Sequence, residues 1–88
     1  MEDKIQLSII ASEGTVFEKK VSYVNIPTGF GSVGVLSGHA PMLCAVEAGV
    51  LRCRFGQEQG AKIRVGSGIA NVAHNEVTLL VSDGEIME

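Results

Sequence analysis

Hydrophobic and polar residues alternate along most of this 88-residue chain. The clearest alternation covers residues 5–9, 51–55, 61–65 and 77–81. A period of two is typical of β-strands that bury one face, because successive side chains point to opposite sides of a sheet. An apolar stripe at helical spacing appears nowhere over a useful length. The pattern therefore predicts a domain built from strands.

Residues that favour turns separate the predicted strands. Most of the 11 glycines fall at these positions, where a positive φ or a close backbone approach favours glycine. The predicted turns are Glu13-Gly14, Pro27-Thr28-Gly29, Ser37-Gly38, Ala48-Gly49, residues 56–60, residues 66–68 and His74-Asn75. Many short strands without intervening helices predict an all-β fold, a two-sheet antiparallel β-sandwich of about eight to ten short strands. We expect residues 1–88 to form this single domain.

One predicted hairpin carries an unusual density of positive charge. Residues 50–55 and 61–65 are expected to pair, with a turn at residues 56–60. In this register the basic side chains share one outer face, and like charges oppose each other across the strands, which is mildly destabilising. Such a face is typical of a solvated surface, and an acidic partner surface is a second hypothesis. The expected pairs are Arg54 with Lys62 and Arg52 with Arg64.

Composition and charge narrow the range of functions. Hydrophobic residues make up 45% of the chain, aromatic residues 5%, and Trp is absent, so Val, Ile, Leu and Ala are expected to form the core. The net charge of −3 lacks the basic footprint that binds nucleic acid. No run approaches the ~20 apolar residues of a membrane span, and the first four residues lack the pattern of a signal peptide. We expect a soluble intracellular domain that neither inserts into a membrane nor binds nucleic acid.

Candidate catalytic or metal-binding residues are few. Cys44, Cys53, His39 and His74 do not match a close-paired zinc pattern, and both thiols are interpreted as reduced. No motif brings a Ser, a His and an Asp together, and the acidic residues are scattered along the chain. His39 is interpreted as a loop histidine, with a general base as the alternative. We expect no catalytic residue, metal, cofactor or small-molecule substrate.

The motif Gly29-x-Gly31-x-x-Gly34 has the spacing of a nucleotide-binding loop. That chemistry needs a strand before the glycines and a helix after them, so that the helix N-terminus faces the phosphate. Here Gly38 and Pro41 exclude a helix. The glycines are therefore expected to serve turns between short strands, and a nucleotide-binding fragment is a less favoured hypothesis.

Three blocks of sequence resemble one known family. They are residues 7–17, residues 68–80, and residues 31–43 with the run Gly38-His39-Ala40-Pro41. In this order, and over nearly the whole chain, they are similar to the N-terminal β-sandwich domain of the ε subunit of F-type ATP synthase. The resemblance implies a ten-strand sandwich of two sheets that carries no catalytic residues.

The resemblance also implies a function and partners. It implies a rotor subunit of the central stalk that couples proton translocation through the c ring to ATP synthesis by binding the γ subunit and the c ring. We expect a peripheral position on the cytoplasmic face of an energy-coupling membrane, that of a bacterial cell. The implied γ contacts are Ala11, His39, Ala40, Pro41, Met42 and Cys44. The implied loop that faces the c ring comprises Thr28, Gly29, Phe30, Gly31 and Ser32. Candidate apolar anchors of the interface are Val35, Leu36, Met42 and Leu43.

Two departures from the family pattern shape these expectations. Ser32 stands where an acidic residue is common, so a salt bridge to the c ring is not expected from its hydroxyl. The family usually continues into a C-terminal helical hairpin that inhibits ATP hydrolysis, and this sequence has no counterpart of it. The expected function is thus coupling without the inhibitory switch. The alternative is a free-standing β-sandwich adaptor that binds another intracellular protein.

Overall fold

The computed structural model describes residues 3–57 and 59–87. The expected turn at residues 56–60 includes Glu58, the first four residues include Met1 and Glu2, and the expected domain ends at Glu88. These four residues lie outside the described part of the chain. No helix in the described part is long and apolar enough to cross a membrane. The strands are β1 (Ile5–Ala11), β2 (Gly14–Val21), β3 (Tyr23–Thr28), β4 (Gly31–Leu36), β5 (Met42–Val46), β6 (Gly49–Phe55), β7 (Gln59–Val65), β8 (Gly68–Ala73), β9 (Glu76–Val81) and β10 (Gly84–Met87).

The ten strands form two five-stranded sheets, which confirms the predicted β-sandwich. The first sheet has the order β2-β1-β9-β8-β5, and the second has the order β10-β7-β6-β3-β4. Antiparallel pairs dominate both sheets, and one pair of described strands differs, because β1 and β9 pair in parallel. These two strands are far apart in the sequence, so no tight hairpin turn forces them to run in opposite directions.

The core lies between the sheets and is built mainly from aliphatic side chains. Strand β1 shows the alternation most clearly, since Ile5, Leu7 and Ile9 are at most 1% exposed while the residues between them are half-buried. The inward residues of the second sheet behave in the same way, with Leu51 and Ile63 fully buried. The period of two in the sequence therefore identified the buried face of these strands.

The predicted register of the β6–β7 hairpin is wrong by two residues. Arg52 is opposite Lys62, and Arg54 is opposite Gly60. The reason is a shorter connection, because β7 begins at Gln59 inside the expected turn. A shift by two keeps every side chain on its own face, since side chains alternate with a period of two. The basic residues of the hairpin consequently remain on one outer face, as expected.

Candidate interaction surfaces

The outer face of the first sheet carries a continuous apolar surface. Ile10 is opposite Leu80, Leu80 is opposite Ile69, and Ile69 is opposite Ala45, so these side chains form a row across four strands. Leu43 lies two residues before Ala45 on the same face of β5. The exposed fractions of Leu43, Ile69 and Leu80 are 72%, 51% and 55%. We call these five residues the apolar face, and such a contiguous exposed patch is typical of a protein interface.

Sequence reasoning identified only Leu43 in this face, although a signal for the others was present. Ile10 and Leu80 stand at strand positions where alternation calls for a polar side chain. An apolar residue at the outward phase of a strand cannot contribute to the domain's own core. The departures from perfect alternation, rather than the alternation itself, therefore marked the apolar face.

The residues that were expected to contact γ do not all face outward. Ala11 is only 8% exposed, and Met42 and Cys44 are half-buried against the core. Among the nominated anchors, Val35 is 1% exposed, so its side chain belongs to the core and not to a surface. Leu36, by contrast, is 52% exposed at the end of β4.

The segment of residues 37–41, which we call the corner, joins β4 to β5. Ala40 and Pro41 are exposed, and His39 is half-buried. The His39 backbone N–H donates to the Leu36 carbonyl at 3.1 Å, and its Nδ1 lies 2.6 Å from the Ala40 carbonyl oxygen. The histidine ring is thus engaged within its own loop, which agrees with its interpretation as a loop histidine.

A turn of the first sheet holds the corner in place. Asn75 Oδ1 accepts a hydrogen bond of 2.7 Å from the Gly38 N–H, and the Asn75 carbonyl accepts one of 2.9 Å from the Gln6 N–H. His74 and Asn75 have φ values of 52° and 60°, as a two-residue hairpin turn of type I′ requires. Asn75 therefore connects the β8–β9 turn to the corner and to β1.

The turn between β3 and β4 presents an aromatic side chain to solvent. The Phe30 side chain, in this turn, is 105% exposed. The Thr28 hydroxyl accepts a hydrogen bond of 3.2 Å from the Phe30 N–H and donates one to the Gly31 carbonyl, and Gly31 has a φ of 105°. Gly29 lies inside this turn and Ser32 is exposed just after it. The loop predicted to face the c ring is therefore a hydrogen-bonded hairpin tip that carries Phe30.

The structure accounts for the glycine motif without a nucleotide. Strand β4 begins at Gly31, in the place where a dinucleotide-binding loop requires a helix. A Cβ atom at Gly34 would lie 2.8 Å from Tyr23 Oη, so this glycine leaves room for the Tyr23 ring. The geometric basis of the nucleotide-binding hypothesis is therefore missing.

The cysteines and histidines form no site that could hold a metal. Within residues 3–57 and 59–87, no three side chains of His, Cys, Asp or Glu come together. Cys44 and Cys53 are free thiols. Burial raises the pKa of the Cys53 thiol, because desolvation disfavours the thiolate. A buried thiol with a raised pKa is a poor nucleophile, as expected for a core residue.

The fold and its surfaces define a small β-sandwich whose exposed features suit protein contacts. The family model described as ATP synthase, Delta/Epsilon chain, beta-sandwich domain matches residues 4–86, and the chain belongs to this family. It is 42% identical over 81 residues to the ATP synthase epsilon chain of Cyanothece sp., covering 92% of this chain and 58% of the relative. It is 32% identical over 81 residues to the chloroplastic ATP synthase epsilon chain of Medicago sativa, covering 92% and 59%.

The fold is also found in solved structures. A chain of the Euglena gracilis mitochondrial ATP synthase superimposes with a TM-score of 0.88 at 19% identity, over 98% of this chain and 55% of the other. A chain from the Tetrahymena thermophila mitochondrial ATP synthase, central stalk and c ring, gives 0.75 at 16% identity, over 94% and 66%. This chain thus spans just over half the length of the epsilon chains that it matches.

Proposed function

We propose that this domain is the β-sandwich of a central-stalk rotor subunit, which couples proton translocation through the c ring to ATP synthesis by binding γ and the c ring. Family membership over residues 4–86 and the relatives named ATP synthase epsilon chain support this proposal. The role is mechanical and non-catalytic. The subunit would be a peripheral part of a membrane-associated complex, and its position on the cytoplasmic face of a bacterial cell membrane is part of the same proposal.

The apolar face is the observation that carries the proposed contact with γ. Leu43, Ile69 and Leu80 are each at least half exposed, although polar side chains would serve a solvated sheet. Covering the exposed half of one such side chain stabilises a complex by about 1 kcal/mol. Ala40 and Pro41, in the corner, are exposed just before β5. In the proposal the apolar face supplies the anchors of the γ interface, and His39, Ala40 and Pro41 form its border.

The hairpin tip is the proposed contact with the c ring. Strand β4 runs from the tip to the corner, and its length separates the two by roughly 17–20 Å. The domain can therefore contact two partners at once. Ser32 offers a hydroxyl in place of a carboxylate, so Phe30 rather than a salt bridge supplies the principal contact. Because the Thr28 hydrogen bonds order the tip before binding, little further entropy is lost on docking.

Co-elution with recombinant γ in size-exclusion chromatography tests the proposal. We expect the wild-type domain to co-elute with γ at micromolar concentration, and the Ile69→Glu, Leu80→Glu double variant to elute separately. Two buried carboxylates would have to lose their hydration in the interface, which costs far more than the lost apolar contact. The matched control is Ile86→Glu, since Ile86 is 53% exposed but lies on β10 of the second sheet.

The outcomes separate the competing functions. Thermal unfolding of each variant first establishes that it is folded. Co-elution of the double variant with γ would refute the apolar face as the interface. Separate elution of the wild-type domain would refute the rotor function and favour the adaptor hypothesis.

A further inference from the structure

The outer face of the second sheet carries a groove of about 750 Å³ that the proposed contacts with γ and the c ring do not use. Its positive side chains are Arg52 and Arg54 on β6 and Lys62 on β7, and all three are exposed. Tyr23 and Asn25 on β3 line the opposite wall, where they pair with Arg54 and Arg52. Gly60 stands opposite Arg54, so no side chain fills that part of the groove. We call this surface the cationic groove.

The charges of the cationic groove are not compensated within the described residues. Arg52 is directly opposite Lys62, an arrangement of like charges that is destabilising. Within residues 3–57 and 59–87, no carboxylate forms an ion pair with Arg52, Arg54 or Lys62.

The neighbouring Arg64 shows what compensation looks like on the same face. Its guanidinium Nη1 lies 3.1 Å from Asp83 Oδ2, and its Nε lies 3.7 Å from Glu85 Oε1. A hydrogen bond from Ser82 and the contact with Arg64 lower the pKa of the Asp83 carboxyl, which favours its charged form. The described residues thus neutralise Arg64, next to the edge strand β10, and form no ion pair with the cations of the groove.

From this contrast we infer that the cationic groove binds an acidic polypeptide segment of a partner protein, in extended conformation, with carboxylates at every second residue. Arg52 and Arg54 are two residues apart on one face of β6, which places their side chains ~7 Å apart. An extended peptide repeats its own side chains at the same spacing. Glutamates at alternate positions therefore match the two guanidinium groups, each of which can bind a carboxylate through two hydrogen bonds.

The shape of the groove favours a peptide over a small anion. Its cations lie exposed on an open sheet surface, whereas small-ligand sites bury most of the ligand among converging polar groups. In the described part of the chain, one hydrogen bond joins two polar side chains that line the groove: Asn25 Nδ2 donates to Tyr23 Oη at 3.2 Å. A nucleic acid is a less suitable ligand, because the protein has a negative net charge and its surface outside the cationic groove would repel the phosphates.

Fluorescence anisotropy with two labelled peptides tests the inference. One peptide has four glutamates that alternate with serine, and the other has the same composition in the order Glu-Glu-Ser-Ser-Glu-Glu-Ser-Ser, in which no two glutamates are two residues apart. We expect the alternating peptide to bind at least about threefold more tightly, because only its spacing matches the arginines, and we expect salt to weaken its binding. Equal affinity of the two peptides, or binding of neither at micromolar concentration, would overturn the inference.

Matched charge reversals locate the site. Arg52→Glu is expected to weaken the alternating peptide at least about fivefold, whereas Lys20→Glu, the same charge change on exposed β2 of the first sheet, changes affinity less than about twofold. Equal losses of affinity in both variants would show that only the net charge of the protein matters, and would contradict a binding site at the cationic groove.

Competition with other anions tests the class of ligand. Displacement of the peptide by ATP or by oligo(dT) at equal concentration would identify a general anion site instead of a peptide site. Because the inference does not depend on the proposed function, Arg52→Glu should still co-elute with γ, and loss of co-elution would contradict a separate groove.

Discussion

At the scale of single residues, several positions tolerate only one side chain because backbone lies directly against them. Gly68 is the clearest case. A Cβ atom there would overlap the Leu80 carbonyl oxygen and lie 2.7 Å from Val81 Cα, both in the paired strand β9. Unlike the end of a flexible side chain, a strand backbone cannot move aside without disturbing its own hydrogen bonds. Gly68 is thus required by packing, independently of any turn.

We predict that Gly68→Ala lowers the free energy of unfolding by about 2–3 kcal/mol, as measured by urea denaturation. The matched control is Gly29→Ala, since its Cβ would meet only the Glu47 side chain at an ordinary distance of 3.7 Å. The control should change stability by less than about 1 kcal/mol. A loss at Gly68 no larger than at Gly29 would show that β8 and β9 separate easily at this point.

At the scale of elements, hairpin turns do more than reverse the chain. The β8–β9 turn accepts hydrogen bonds from the corner and from β1 through the side chain and carbonyl of Asn75. The tip of the β3–β4 hairpin similarly uses the Thr28 side chain to fix the backbone around Phe30. The corner and the hairpin tip are therefore each held by a hydrogen bond to a side chain.

We predict that Asn75→Gly destabilises the domain by about 1 kcal/mol and increases amide exchange of Gly38. Glycine adopts the positive φ of this position without strain, so the change isolates the lost hydrogen bond to Gly38. His74→Gly is the control at the other positive-φ position of the same turn. Protein stability and exchange measured by NMR should separate the two variants, and indistinguishable behaviour would refute the role of the Asn75 side chain.

At the scale of the whole molecule, β1 and β9 pair in parallel. The pair brings together the two strands of the first sheet that are farthest apart in the sequence. Strand β1 lies between β2 and β9, and Leu7 at its centre is completely buried. The sandwich has one core between two sheets, so a defect there affects both. We expect unfolding to be a single cooperative transition, as is usual for a domain of this size.

Leu7→Ala is predicted to cost about 2–4 kcal/mol through the cavity that it leaves in this core. That loss is a large part of the ~5–15 kcal/mol that stabilise a typical domain. Leu43→Ala, at a side chain that is 72% exposed, is the matched control and should change stability by less than about 1 kcal/mol. Urea denaturation measures both, and similar losses would contradict the placement of the core.

Local sequence determined the strands, most of the turns and the direction of side chains on the strands with clear alternation. Alternation alone assigned Leu7 to the core and Arg52 to an outer face, because the period of two follows from strand geometry and is insensitive to a register shift of two. Resemblance over most of the chain identified the family. These conclusions depend on neighbouring residues or on the order of residues along the whole chain, and the amino-acid sequence gives both.

Only the tertiary structure decided which outer surfaces are continuous. Ile10, Leu80 and Ile69 form one row because β1 pairs in parallel with β9, a contact between distant parts of the chain that no local pattern specifies. Arg52 meets Lys62 rather than Arg64 because the turn before β7 is shorter than its glycines suggested. Strand alternation is a local property of the backbone, whereas the pairing of strands depends on the packing of the complete core. The continuous outer surfaces of this protein follow from the pairing.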